Sequence, residues 1–141
     1  MKLTLALALA TSLISTSTAS AQQPRSLAGP TYVFFDFGKL ALSRDAEASL
    51  TELIASIPRR SGAVVEVVGF SDTAGSTGAN RSIALKRAIA VRDFLQARGL
   101  ATETIRISAH GEQQLLVATA DGVREAQNRR VEVRVLGQDP R

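Results

Sequence analysis

Residues 64–75 read Val64-Val65-Glu66-Val67-Val68-Gly69-Phe70-Ser71-Asp72-Thr73-Ala74-Gly75. Four valines around a single glutamate predict a strand that is buried apart from Glu66. From Gly69 to Gly78 the composition changes to glycine and small polar residues, and Asp72 falls in that loop. A loop directly after a buried strand is a common site for binding residues in folds that mix strands and helices. Downstream, Ala84, Leu85, Ala88, Val91 and Leu95 lie on one stripe at about 100° per residue, predicting a helix from Ala79 to Arg98 that stops at Gly99. Upstream, Tyr32-Val33-Phe34-Phe35 is a β-prone run. Between the two strands, Ala46, Leu50, Leu53, Ile54 and Ile57 recur at helical spacing. Ser43 is the expected N-cap of this helix, Asp45 and Glu47 suit its first turn, and Pro58 ends it. Thr104 to Ala109 reads as a third strand. Val131, Val133 and Val135 alternate with Arg130, Glu132 and Arg134, predicting a last strand with one wet face and Arg130 in solvent. Residues 111–127 fit either a loop or a short helix. The order is β-α-β-α-β, an undetermined connection, then β.

Composition narrows the chemistry. The chain has 141 residues with no cysteine, 17 Lys+Arg against 13 Asp+Glu, and one histidine, His110. The length suits a single domain. Absence of cysteine excludes a disulfide framework, a thiolate nucleophile and a cysteine zinc site. A lone histidine excludes a multi-histidine metal site and leaves Ser-His-Asp catalysis only if His110 is the base. At the end of a strand, with no second histidine, His110 is expected to be structural. The basic excess would suit nucleic acid, a membrane surface or an acidic small group, and composition does not choose among them. No cofactor is implied.

The first 21 residues have the form of a cleavable export signal. Lys2 supplies the positive start, Leu3 to Ala10 begin an apolar run continuing through Leu13 and Ile14, and Ala19-Ser20-Ala21 gives the small-x-small cleavage pattern. Cleavage is expected after Ala21, delivering a periplasmic chain. Gln22 to Pro30 is read as a flexible leader, residues 31–137 as the domain and 138–141 as a tail. No cysteine follows the cleavage position, so no lipid anchor is expected on the mature chain, and the apolar run is too short and too polar to span a membrane.

The Asp72 loop admits several readings. Asp-Thr-Ala-Gly after a strand has the look of a GTPase metal-side motif, but the chain has no G-x-x-x-x-G-K-[ST] phosphate loop. An aspartic protease needs a second carboxylate to share the proton, and no second such tripeptide is present. The third reading pairs the loop with the long helix, where Asn80 and Arg87 share a flank. Asp72 and Arg87 could form a simple ion pair, or could together receive a zwitterion, the carboxylate accepting from an ammonium and the guanidinium forking onto a carboxylate. Geometry read from sequence leaves both standing.

Five blocks now fall into order. Phe34-Phe35-Asp36-Phe37-Gly38-Lys39, Gly69-Phe70-Ser71-Asp72, Asn80 with Arg87-Ala88 and Val91, Gly111-Glu112, and Asn128-Arg129-Arg130-Val131-Glu132 resemble the OmpA-like C-terminal domain, shared by OmpA-type porins, the Pal lipoprotein and flagellar stator proteins. The resemblance runs from about Tyr32 to Leu136. It implies an α+β fold, a mixed four-stranded sheet with helices packed on one face. It implies non-catalytic binding of peptidoglycan through the diaminopimelate of the stem peptide, with Asp72 on the ligand's amino group and Arg87 on its carboxylate. Asn80, Thr73, Phe35 and Asp36 match supporting positions in the same groove. Arg129 matches a closing-motif arginine that either buttresses the site or touches ligand. Phe70 stands where the family usually has histidine, Ser71 where it has threonine, and Ala84 where serine is common. Losing that histidine should remove a polar side chain from near the site. Other envelope proteins are conceivable partners, and nucleic acid is not expected. The rival reading is an arginine-rich exported protein that binds an anionic polymer or surface.

Overall fold

The structure, a computed structural model, describes residues 25–137; the expected signal peptide, residues 22–24 of the leader and residues 138–141 lie outside them. Five strands and two long helices follow one another as β1 (Arg25–Ser26), β2 (Thr31–Phe34), α1 (Arg44–Ser56), β3 (Val64–Phe70), α2 (Thr77–Ala97), β4 (Ile105–Gly111) and β5 (Arg130–Gly137). Single 3-10 turns, Thr102–Thr104 and Ala126–Asn128, introduce β4 and β5. The architecture is the expected α+β one.

Strand β5 is central. It pairs antiparallel with β3 on one side, Val67 facing Val133 and Val65 facing Val135. Beyond β3 lies β4, parallel to it, with α2 as the crossover. Along its other edge β5 carries both β2, through Thr31↔Val133 to Phe34↔Arg130, and β1, through Arg25↔Gly137 and Ser26↔Leu136. Four rows were expected and four rows are present, but the first is made of two strands. Pro30 has no N–H to give to the ladder, and the row is interrupted between Ser26 and Thr31. Arg25 and Ser26, read as flexible leader, therefore belong to the sheet.

One face of the sheet carries the core. Val33, Val65, Val67, Val131, Val133 and Val135 pack against Ala46, Leu50 and Leu53 of α1 and Ala88, Val91 and Leu95 of α2. Ser43 caps α1 by accepting from Ala46 N, and Ser76 caps α2 by accepting from Ala79 N. The buried stripe of α2 consists of Asn80, Ala84, Arg87, Ala88, Val91 and Leu95. Leu85 is not part of it: it is 40% exposed, one position off the line, and Arg87 takes the place expected for an apolar residue.

The other sheet face is wet at Arg134 and Glu66, 42% and 35% exposed, but not at its other end. Arg130 is 3% exposed and Glu132 is buried with it, contrary to the alternation. Arg130 donates from Nε and Nη2 to Glu132 Oε1 at 3.0 and 2.8 Å, and its guanidinium lies 3.9 Å above the Phe70 ring. Phe70 in turn stacks on His110, with centroids 5.5 Å apart. Period-2 alternation identified the face correctly, but the chain between β4 and β5 folds back over it, bringing the Gln114 carbonyl to Arg130.

Gly69 sets how closely α2 can approach. A Cβ there would sit 2.0 Å from the carbonyl oxygen of Ala84, well inside contact distance. Only glycine admits this packing, and the buried Ala84 shows why bulk is unwelcome on the helix side as well. Gly69→Ala should lower the midpoint of urea unfolding by an amount worth about 1–3 kcal/mol. An unchanged midpoint would mean that α2 can back away freely.

Candidate functional site

The chain leaves β3 at Phe70 and turns under the start of α2, so Asp72 is presented where three elements meet. Both oxygens of its carboxylate are engaged by protein. Oδ1 accepts from Ala74 N at 3.3 Å, and Oδ2 accepts from Glu125 N at 3.2 Å and from Arg129 Nη1 at 3.0 Å. Arg129, the residue before β5, also donates from Nε to the Phe35 carbonyl. Of the two readings left open for Asp72 and Arg87, the simple ion pair is not made; Asp72 pairs with Arg129 instead.

Arg87 is 1% exposed and has no carboxylate partner among the described residues. Two loop carbonyls hold it: Nε donates to Lys39 O and Nη2 to Asp36 O, both at 3.1 Å. Its guanidinium carbon lies 5.3 Å from the centre of the Phe35 ring. Nη1 donates to no described group. Burial lowers the Arg87 pKa, the Arg129 charge lowers it further, and Asp72 opposes both.

Asp72, Asn80, Arg87 and Arg129 line one small cavity of ≈140 Å³, together with Phe37 and Gly38 from the loop after β2 and Ile83 from α2. Asn80 donates Nδ2 to Glu112 at 2.6 Å, which turns its Oδ1 toward Gly75, another residue of the cavity wall. The remaining candidates serve the cavity without lining it. The Thr73 hydroxyl anchors the loop before β5, donating to Ala120 O and accepting from Val123 N. Phe35 is a core residue beneath Arg87. Asp36 offers Arg87 its carbonyl, while its side chain lines a neighbouring depression with Phe34, Phe35 and Arg129. Phe70 points to the opposite face of the sheet, so its replacement of histidine takes nothing from the cavity, a correction to the sequence reading.

Two residues with no site role in the sequence reading shape the place. Asn128 is fully buried and binds the loop at three points: Oδ1 accepts from Leu116 N and Val117 N, and Nδ2 donates to Val117 O, all at 2.8 Å. Glu112 accepts from Thr77 and Asn80, and these bonds lower its pKa. Both stand in the closing motif blocks, but nothing in their spacing indicated that they hold other residues rather than a ligand. Residues 112–125 form a loop and not the short helix that was also open, with the 3-10 turn coming only at its end.

With this geometry in hand, the comparisons with known proteins are consistent in direction. A model described as the OmpA family matches residues 34–129. The chain is 31% identical over 117 residues to outer membrane protein A of Escherichia fergusonii, covering 74% of this chain and 48% of that protein. It is 30% identical over 112 residues to the photosystem I P700 chlorophyll a apoprotein A2 of Gloeobacter violaceus, covering 74% of this chain but 13% of that one. The chain therefore spans less than half the length of either relative. Among solved structures, the peptidoglycan-associated lipoprotein of Burkholderia pseudomallei superposes with a TM-score of 0.67 at 24% identity, over 74% of this chain and 88% of that one. The C-terminal domain of Helicobacter pylori MotB gives 0.62 at 21% identity, over 79% and 86%. At such identities the likeness establishes the fold.

Two outcomes follow from the clamps. Asn128→Ala should cost about 2–3 kcal/mol, because buried loop groups lose their partners, and should speed amide exchange at Leu116 and Val117. The Glu112 contact has a lowered carboxylate pKa, so its contribution is present at neutral pH and disappears as pH falls through the folded-state value. The Asn80 side-chain amide resonances should shift over that acidic window in the wild type and stay put in Glu112→Gln.

Proposed function

The chain belongs to the OmpA family, and on that premise we propose that it is a non-catalytic module of the cell envelope that holds peptidoglycan through the diaminopimelate residue of the stem peptide. The observation that carries this reading is the pairing, in one cavity, of a buried carboxylate with a buried guanidinium that has no carboxylate of its own. A zwitterionic amino-acid head supplies the complement of each. Its carboxylate takes Arg87 Nη1, the donor unused by protein. Its ammonium takes the free acceptor capacity of Asp72 and the Asn80 Oδ1, with Arg129 holding Asp72 in place. The neighbour from Burkholderia pseudomallei, which shares the fold, is named for association with peptidoglycan.

Each charge-assisted hydrogen bond contributes about 1.5–3 kcal/mol when shielded from water. A cavity of this size can enclose only the head of such a ligand, so single-site affinity is modest. Repetition of the ligand along the wall raises the working affinity through avidity. The proposed location is the periplasm, reached through the expected export signal; no helix among the described residues is long and apolar enough to cross a membrane.

The test is retention on isolated sacculi for wild type, Asp72→Asn and Arg87→Lys, each first shown to be folded by circular dichroism. Both variants should lose at least about ten-fold in retention, and free meso-diaminopimelate should displace the wild type. Retention that is indifferent to both variants and to meso-diaminopimelate, but falls steeply with salt, would instead establish the anionic-polymer reading.

A further inference from the structure

The charges around the cavity do not balance. Asp72 is matched by Arg129, and Arg87 is left for the ligand. A third arginine stands at the mouth. Arg124, in the loop before β5, places its guanidinium carbon 3.6 Å from the centre of the Phe37 ring, a distance reached by lying flat on the ring. Phe37 is itself 45% exposed and lines the cavity, and its ring also lies 5.9 Å from the Arg129 guanidinium carbon. Arg124 makes no ion pair among the described residues.

Stacking and pairing use different parts of a guanidinium. The ring occupies its face, while its N–H groups point outward in the plane, where they match the two oxygens of a carboxylate. Phe37 thus fixes the orientation of Arg124 at the rim and leaves the fork unspent. The stack engages the face of the guanidinium and leaves its N–H groups unused, so it orients Arg124 without neutralising it.

Building on the zwitterion reading of the cavity, we propose that Arg124, oriented by Phe37, forms a second carboxylate subsite that takes an acidic group of the stem peptide other than those of the diaminopimelate head. The site then reads two separated features of one ligand, a zwitterion inside the cavity and a carboxylate at its rim. Stem peptides whose remaining carboxylates are amidated would bind through the cavity alone.

The experiment uses two synthetic stem peptides containing meso-diaminopimelate, identical except that the carboxylates outside that residue are free in one and amidated in the other. Affinities are measured by calorimetry for wild type, Arg124→Gln, Arg124→Lys and Asp72→Asn. Wild type should prefer the free-carboxylate peptide by about ten-fold, and Arg124→Gln should abolish the preference while leaving the amidated peptide's affinity unchanged. Arg124→Lys should restore only part of the preference, because it keeps the charge without the fork. Equal losses on both peptides would reduce Arg124 to a prop for Phe37, and no loss on either would remove the subsite; both outcomes overturn the proposal. Asp72→Asn should weaken both peptides alike. If it affects neither, the zwitterion reading fails, whereas a large Asp72→Asn effect beside an inert Arg124→Gln removes the rim subsite alone.

Discussion

The ion pair between Asp72 and Arg129 is the contact on which the site's geometry depends. It joins the end of β3 to the start of β5, and its two side chains are 5% and 13% exposed. Removing two charges from water to that degree is unfavourable unless every lone pair is used. Here two further acceptor positions are met by backbone N–H groups of Ala74 and Glu125, and Arg129 spends a second donor on the Phe35 carbonyl. Three loops are thereby registered against one carboxylate: the one after β2, the one after β3 and the one before β5. The cavity is the space those loops leave between them.

That arrangement explains which parts were legible in the sequence. A valine run announces a strand enclosed on both faces, and β3 was readable for that reason, while β5 was read from the alternation of valine with charged residues. The α1 boundaries followed from Ser43 and Pro58, whose effects are local. Asp72, Asn80 and Arg87 could be assigned to one place because a loop after a strand and a helix flank converge predictably, whereas Arg129 joined them only through the family resemblance. What could not be read was which charge meets which. A helix wheel puts Arg87 toward the loop, but the partner of Asp72 comes from 57 residues further along the chain. The covering of the second face was hidden for the same reason. Alternation assigns Arg130 and Glu132 to a side, and it carries no information about what a distant loop lays over that side. Asn128 and Thr73 were likewise invisible as clamps, since their partners are backbone groups of a segment with no periodicity of its own.

A comparison within the molecule supports the functional reading independently of any relative. Among the described residues, the fold buries two arginines almost completely, one on each face of the sheet. Arg130 has what a buried cation ordinarily requires: a carboxylate at 2.8 Å, an aromatic ring beneath it, and a second arginine, Arg134, sharing the far oxygen of that carboxylate. Arg87 has a ring as well, but carbonyl oxygens in place of a carboxylate. The same chain therefore shows what full internal neutralisation looks like and departs from it at a single buried position.

The departure has a physical consequence. A guanidinium held only by neutral dipoles loses hydration without regaining an opposite charge, and the lowered Arg87 pKa expresses that deficit. Neutralising it internally would need only a carboxylate within reach, yet the nearby Asp72 is turned to Arg129. Deficits of this kind persist where an external group relieves them, and locally unfavourable arrangements concentrate at binding sites for that reason. An anion entering the cavity meets a donor already oriented by two carbonyls and a ring, so little ordering remains to be done on binding. Under the proposed function, the cost is carried by the fold in the free protein and relieved on occupation, which makes Arg87, rather than the more conspicuous Asp72–Arg129 pair, the side chain whose state the ligand changes most.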